Sequence, residues 1–158
     1  MATFVLVHGA FRGGWAWDQL APILQAAGHT VFAPTLTGCE PHSDRVGTAI
    51  TLDEWVNDVV AVINTAVEPV ILVAHSQAGL VCRRVLEVRP HAVAKVIYLD
   101  AAVPDDGDRG VDLNPPGTPA PPDNLDPALS IPARAVGVEQ GFVDGDLADY
   151  VNTRRVPT

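Results

Sequence analysis

The sequence predicts an α/β fold, a mostly parallel sheet with helices on both faces, and three observations carry that prediction. Short β-branched apolar runs alternate with helical patterns through the first hundred residues, as in consecutive βαβ units. One run, Val70 to Val73, gives way to a helical pattern over Leu80 to Leu86, so the chain must turn sharply from strand to helix at Ser76. Beyond residue 104 the alternation ends: nine of the fourteen prolines follow Ala101. The composition change marks a boundary.

In chain order, Thr3 to His8 is a short apolar run without helical period and reads as a buried strand. The turn after it, Gly9-Ala10-Phe11-Arg12-Gly13-Gly14, is rich in small residues, which lets backbone N–H groups face outward. Taken alone it reads first as a plain β–α connection; in an acyl-transfer enzyme it would be the loop that binds the oxyanion. Trp15 and Trp17, read as packing residues, lead into a helix over Leu20 to Ala27. Pro22 fits only its first turn, and Gly28 stops it. A second strand covers His29 to Pro34, and a loop from Thr35 to Ala49 carries Gly38, Cys39, Pro41 and a solvated His42.

Thr51 and Glu54 form a capping box, after which Leu52, Trp55, Val56, Val59, Val60 and Ile63 share one helical face. Val67-Glu68-Pro69 ends that helix and delivers the strand before Ser76. The stretch Ala74-His75-Ser76-Gln77-Ala78 has the form of a nucleophile elbow, G-x-S-x-G, with alanine at both flanks and Gly79 next. Alanine still meets the need for small residues where backbone passes closely on both sides. The helix after Ser76 runs to about Val88, with Arg83 and Arg84 on its solvated face. A fourth strand covers Ala94 to Leu99 and ends at Asp100. His8, Ser76 and Asp100 therefore all lie at carboxyl ends of strands, where ligands of parallel sheets sit.

From Asp105 to Gln140 the Pro-, Asp- and Gly-rich chain reads as an extended excursion, a lid over the site, and a short helix follows from Asp144 as N-cap to about Arg155, with Leu147, Tyr150 and Val151 on one face. The predicted units are thus a core over residues 1–104 and a lid over residues 105–158.

At 158 residues and 47% hydrophobic content the chain forms about one domain with a real core. No apolar run approaches the ~18–20 residues of a membrane span, and Met1-Ala2-Thr3 runs straight into a strand. A cytoplasmic protein is expected. A net charge of −9 argues against nucleic acid or an anionic membrane as partner. Cys39 and Cys82 fit no metal spacing and read as buried thiols, and Gly9 to Gly14 lacks a phosphate-binding pattern, so no cofactor or metal is expected.

Taken together, Phe4-Val5-Leu6-Val7-His8-Gly9-Ala10 with Gly13-Gly14-Trp15-Ala16-Trp17, Ala27-Gly28-His29, Val70 to Gly79, and Tyr98-Leu99-Asp100-Ala101-Ala102-Val103-Pro104 resemble the α/β-hydrolase superfamily. Within it the chain is similar to the plant-type carboxyl- and methylesterases (salicylate-binding esterases), the hydroxynitrile lyases and their bacterial esterase relatives. The resemblance implies Ser76 as nucleophile, the backbone N–H groups of Ala10 and Gln77 as oxyanion hole, and His8 as a structural residue. Gly9, Ala10, Phe11 and Gln77 would bound the substrate. Lyases of the group tend to have threonine at the place of Gly9 and cysteine at that of Gln77, and both differences favour hydrolysis.

The implied reaction is two-step acyl transfer, which needs a general base. In the family the acid and the histidine follow Ser76 in the chain, yet nothing after Arg134 is a histidine. His75 should point to the opposite face from Ser76, His29 begins its strand at the wrong end, and His42 and His91 lie in connections. Asp100 is the alternative acid, or else it holds the loop after its strand. The simplest expectation is a truncated α/β-hydrolase core, with its C-terminal strands, and the missing acid and base, in a further segment or a separate chain. Its open apolar sheet edge would then be covered by that second polypeptide or by a homo-oligomer. The substrate expected from composition and resemblance is a neutral, fairly apolar small-molecule ester. The competing readings are a noncatalytic small-molecule binder and a hydroxynitrile lyase on the same scaffold.

Overall fold

The structure is a computed structural model that describes residues 1–66, 69–108, 110–113, 117, 131, 133–142 and 144–158. Four strands, β1 (Thr3–Val7), β2 (Thr30–Phe32), β3 (Val70–Ser76) and β4 (Val93–Ala101), form one sheet in the order β2-β1-β3-β4. All three pairings are parallel, as expected from the alternation of strands and helices.

The two central strands are apolar on both sides because both sides are covered. Val5 and Val7 of β1 and Val70, Leu72 and Ala74 of β3 point to one face. There they meet Val56, Val59 and Ile63 of α2 (Leu52–Ile63) and Ala78, Val81, Cys82 and Val85 of α3 (Ala78–Val88). Leu6 and Val73 point to the other face and pack with Trp17, under α1 (Ala21–Ala26) and its approach. At about 1.5–3 kcal/mol for each fully buried Val or Leu, the first layer dominates cohesion. α1 has no buried residue, so the second layer is thinner.

Local signals account for the helix ends. Thr51 Oγ1 accepts from the Glu54 N–H at 3.2 Å while Glu54 Oε2 accepts from the Thr51 N–H at 2.8 Å, which is the expected capping box. Gly28, at φ +86°, ends α1, and the His29 N–H returns to the Leu24 carbonyl. Element ends differ most from expectation in three places. β2 is shorter, its neighbours His29 and Ala33 falling outside the pairing with β1. β4 is longer, because β3 pairs with it as far as Ala101. α4 (Gly145–Asn152) begins after Asp144, whose carboxylate caps Asp146 and Leu147 as expected, but ends before Arg155. Half of the excursion expected over residues 105–140 lies outside the described residues.

β4 is an edge strand, and Ile97 and Leu99 on it are 41% and 48% exposed. Arg83 and Arg84 are exposed on α3, where Arg84 pairs with Glu87 at 2.6 Å. Among the described residues no helix is long and apolar enough to cross a membrane.

The closest approach in the core is between α3 and the end of β4. A Cβ on Gly79 would stand 2.0 Å from the Ala102 carbonyl oxygen, and that oxygen belongs to backbone that cannot swing aside. Gly79→Ala should therefore cost at least the ~1–3 kcal/mol typical of overpacking, read as a lower urea midpoint. Gly145→Ala, which meets nothing within 4 Å, should leave the midpoint unchanged or raise it.

Candidate active site

β3 ends in Ser76 at φ +54°, a left-handed conformation that a non-glycine residue adopts only under constraint. The constraint comes from three sides. Ahead, Gln77 opens α3. Beside it, the Ser76 carbonyl accepts from the Ala102 N–H at 3.0 Å. On the other side lies Gly9, where a Cβ would stand 2.8 Å from the Ser76 Cβ and 3.0 Å from Nδ1 of His75. Ala74 and Ala78, flanking the elbow, are buried.

The loop after β1 thus runs directly over Ser76. Among the described residues the N–H groups of Ala10 and Gln77 donate to no partner. The next residue, Phe11, also has a left-handed backbone, at φ +63°, and its N–H donates to Oγ1 of Thr158 at 2.8 Å. A small recess of about 10 Å³, room for about one water molecule, opens beside this loop, lined by His8, Gly9, Leu36, Cys39, Trp55, Gln77 and Ala78 among others.

His8 holds the recess together. It is 2% exposed; Leu36 N–H donates to its Nε2 at 3.1 Å, and its Nδ1 donates to the Gly9 carbonyl at 2.9 Å. The two partners fix the tautomer, leaving no lone pair free to accept a proton from Ser76. Burial pushes its pKa down to about 4, against the Gly9 carbonyl, with smaller downward pushes from the charges of Arg12 and His75. Asp58 continues the clamp by accepting from the Thr37 N–H and hydroxyl, and Trp55 Nε1 donates to the Thr37 carbonyl.

None of the other four histidines hydrogen-bonds the Ser76 hydroxyl. His75 stands edge-on to Trp17, 6.4 Å between ring centroids, on the thinner face of the sheet, as its place on β3 requires. Burial and Arg12 lower its pKa, while Asp100 raises it. His29 accepts from the Ala2 N–H at the opposite end of the sheet, and His42 and His91 are exposed in connections. Asp100, at φ +45°, is the extra residue where His75 faces Leu99 but Ser76 faces Ala101. This bulge puts its carboxylate near His75 and leaves it exposed. Among the described residues no side chain hydrogen-bonds the Ser76 hydroxyl. Both thiols are buried, and burial pushes Cys39 to about 11 and Cys82 to about 12, so neither is a nucleophile at neutral pH.

The last residues of the chain come back to this site. Thr158 is pinned by two backbone bonds with Ile131, Val156 is buried in the main core, and Arg155 lies over the Phe11 ring at 5.1 Å. On α4, Tyr150 packs edge-on against Trp15 and donates to Asp18, while Asn152 bonds both backbone groups of Val136. The sequence placed Ser76, Gly9, Ala10, Phe11 and Gln77 together, and the structure brings them together. Arg12 stood inside the flagged loop, and its charge was the available signal; Arg155 and Thr158 offered none at a separation of more than 140 residues.

The sequence model of the alpha/beta hydrolase family matches residues 4–157. The chain is 40% identical over 120 residues to a carbendazim hydrolyzing esterase of Nocardioides sp. (strain SG-4G), covering 75% of this chain and 50% of that protein. It is 36% identical over 104 residues to salicylic acid-binding protein 2 of Nicotiana tabacum, covering 65% of this chain and 40% of that one. Among solved structures, an extracellular alpha/beta-hydrolase from a Paenibacillus species superposes with a TM-score of 0.66 at 31% identity, over 73% of this chain and 47% of that one. The chain therefore spans about half or less of the length of these relatives.

His8 titration gives a test of the site's integrity. A histidine whose folded pKa is depressed contributes stability above its unfolded value of 6.5, and that contribution is lost as pH falls towards the folded value of about 4. Over that window the loss is about 3 kcal/mol at most. His8→Gln should flatten the fall in urea midpoint between pH 6.5 and 4.

Proposed function

Since the chain belongs to the alpha/beta hydrolase family, we propose that it is the nucleophile-bearing part of a carboxylesterase whose acyl-enzyme forms on Ser76. The observation that carries this reading is the left-handed serine at the β3–α3 turn, with two unpaired backbone N–H groups, those of Ala10 and Gln77, beside it. Strain at a single non-glycine residue persists where function requires it, and here it lifts the hydroxyl clear of the strand. The named relatives, a carbendazim hydrolyzing esterase among them, support ester cleavage as the reaction class.

In the proposed reaction Ser76 Oγ attacks the ester carbonyl and its proton passes to the base. The oxyanion takes hydrogen bonds from the Ala10 and Gln77 N–H groups. The C–O bond to the alcohol breaks as the base returns the proton, and water then releases the acid by the same steps. With His8 locked by its two hydrogen bonds and the other four histidines turned or placed elsewhere, the base and acid come from polypeptide outside residues 1–158. A segment paired on the free edge of β4 would bring them to the carboxyl ends of the strands, and would also cover Ile97 and Leu99. A second copy of the chain is the alternative cover for that edge. Residues 105–158 act as the lid, with α4 seated on Trp15 and Thr158 on the loop over Ser76. The unpaired, buried thiols suit a reducing, cytoplasmic setting.

In the assembly that holds the base, Ser76→Ala should lower p-nitrophenyl ester hydrolysis by about 10⁴-fold or more and abolish labelling by a fluorophosphonate. Hydrolysis that survives the substitution overturns the reading. Wild-type protein that is never labelled makes the fold a binder instead.

The edge is tested separately by native against denaturing mass spectrometry. A second polypeptide or a second copy should be seen, and Leu99→Lys should shift the population to the lone chain.

A further inference from the structure

The protein carries 19 acidic residues against 10 basic ones, yet among the described residues Arg12, in the loop that lies on Ser76, and Arg155, which reaches that loop, form no ion pair. Among the described residues the ion pairs involve Arg45 and Arg84, not Arg12 or Arg155. Arg155 Nε is buried with no hydrogen-bond partner, and its guanidinium lies over the ring of Phe11, the neighbour of Arg12 in sequence. The two segments are fixed to each other by the bond from the Phe11 N–H to Thr158, and the charge of Arg155 acts on Arg12. Burial lowers the pKa of both, and Arg155 lowers that of Arg12 further; among the described residues no carboxylate acts in the other direction. Arg84 shows the contrast: exposed, and raised by Glu87 and Asp53.

Two partly buried like charges and an orphaned guanidinium N–H form a costly arrangement that an anion would relieve. The flat, forked donors of arginine suit a carboxylate bound through two oxygens. The loop that holds Arg12 is also the loop that lies on Ser76, and the Arg12 charge acts on both His8 and His75. We infer that Arg12 and Arg155 form a carboxylate subsite next to Ser76, so that the ester taken by this site carries a free carboxylate, as a half-ester of a dicarboxylic acid does. The location of the subsite rests on the arginines alone, and the identification of its ligand as an ester rests on the hydrolase reading. An acidic ester thereby replaces the neutral one expected from composition. In a protein of net charge −9, this local positive field is what lets such a substrate approach.

The test is a thermal-shift titration of the 158-residue chain at constant ionic strength with glutarate, its neutral diamide glutaramide, and inorganic phosphate. Glutarate should raise Tm in a saturable way, and glutaramide should not. Arg12→Gln and Arg155→Gln should each weaken glutarate at least tenfold without lowering the unliganded Tm, because each removes one of two like charges. Should either glutamine variant fail to fold, Arg155→Lys decides, since it keeps the charge but loses the fork and must still weaken glutarate severalfold. An equal shift with glutaramide, an undiminished shift in the folded variants, or a larger shift with phosphate than with glutarate overturns the proposal. Ser76→Ala should keep the full glutarate shift. Because no turnover is read, failure of fluorophosphonate labelling and failure of the titration are separate results.

Discussion

The left-handed turn at Ser76 is the constraint on which the rest of the structure depends. A serine at φ +54° is held there only because its surroundings permit nothing else. β3 must end flush with β1, so that Gly9 can lie against it, and α3 must start at once, so that Gln77 and Ala78 stand at a helix N-terminus. The end of β4 must bend over α3, and Gly79 is the residue that allows it. Alanine at positions 74 and 78 is compatible with this turn because the tightest contacts fall at Gly9 and Gly79. Both remain glycine, and neither stands two residues from Ser76.

His8 shows how a neutral, buried imidazole serves the same end. It joins the end of β1 to the loop after β2 through two backbone hydrogen bonds, and α2 holds that loop through Asp58 and Trp55. Three sequence segments are thereby fixed around one recess. Protonation would remove the Leu36 bond and leave a cation among apolar side chains, and burial holds off that state until well below neutral pH.

Much of the core was legible in the sequence because its signals are local. The period-free runs of β1 and β3, the capping box at Thr51 and Glu54 and the terminating Gly28 depend on neighbours within a few residues, and each has the form expected. The end of β4 was less legible, since its last residues are held by pairing with Ser76 across the sheet and by the bulge at Asp100. The elbow was legible as a pattern of small residues, and Gly9, Ala10, Phe11 and Gln77 followed from topology and resemblance. Arg155 and Thr158 reach the site through tertiary contact alone. No periodicity or spacing brings residue 158 to residue 11, and an arginine after a short helix reads as a solvated end.

That return of the chain also changes what the composition implies. A net charge of −9 describes the long-range field, which repels anions, but the site is governed by charges within a few ångströms, where burial weakens the screening by water. Phe11 links the two scales. Its backbone lies in the loop over Ser76, its N–H is held by Thr158, and its ring carries Arg155. Any movement of residues 154–158 therefore moves a positive charge and the loop over the nucleophile together. A ligand gripped by Arg155 would, by the same connection, bear on the loop that carries the Ala10 N–H, so the charge of the ligand and the geometry of the proposed oxyanion donors are linked.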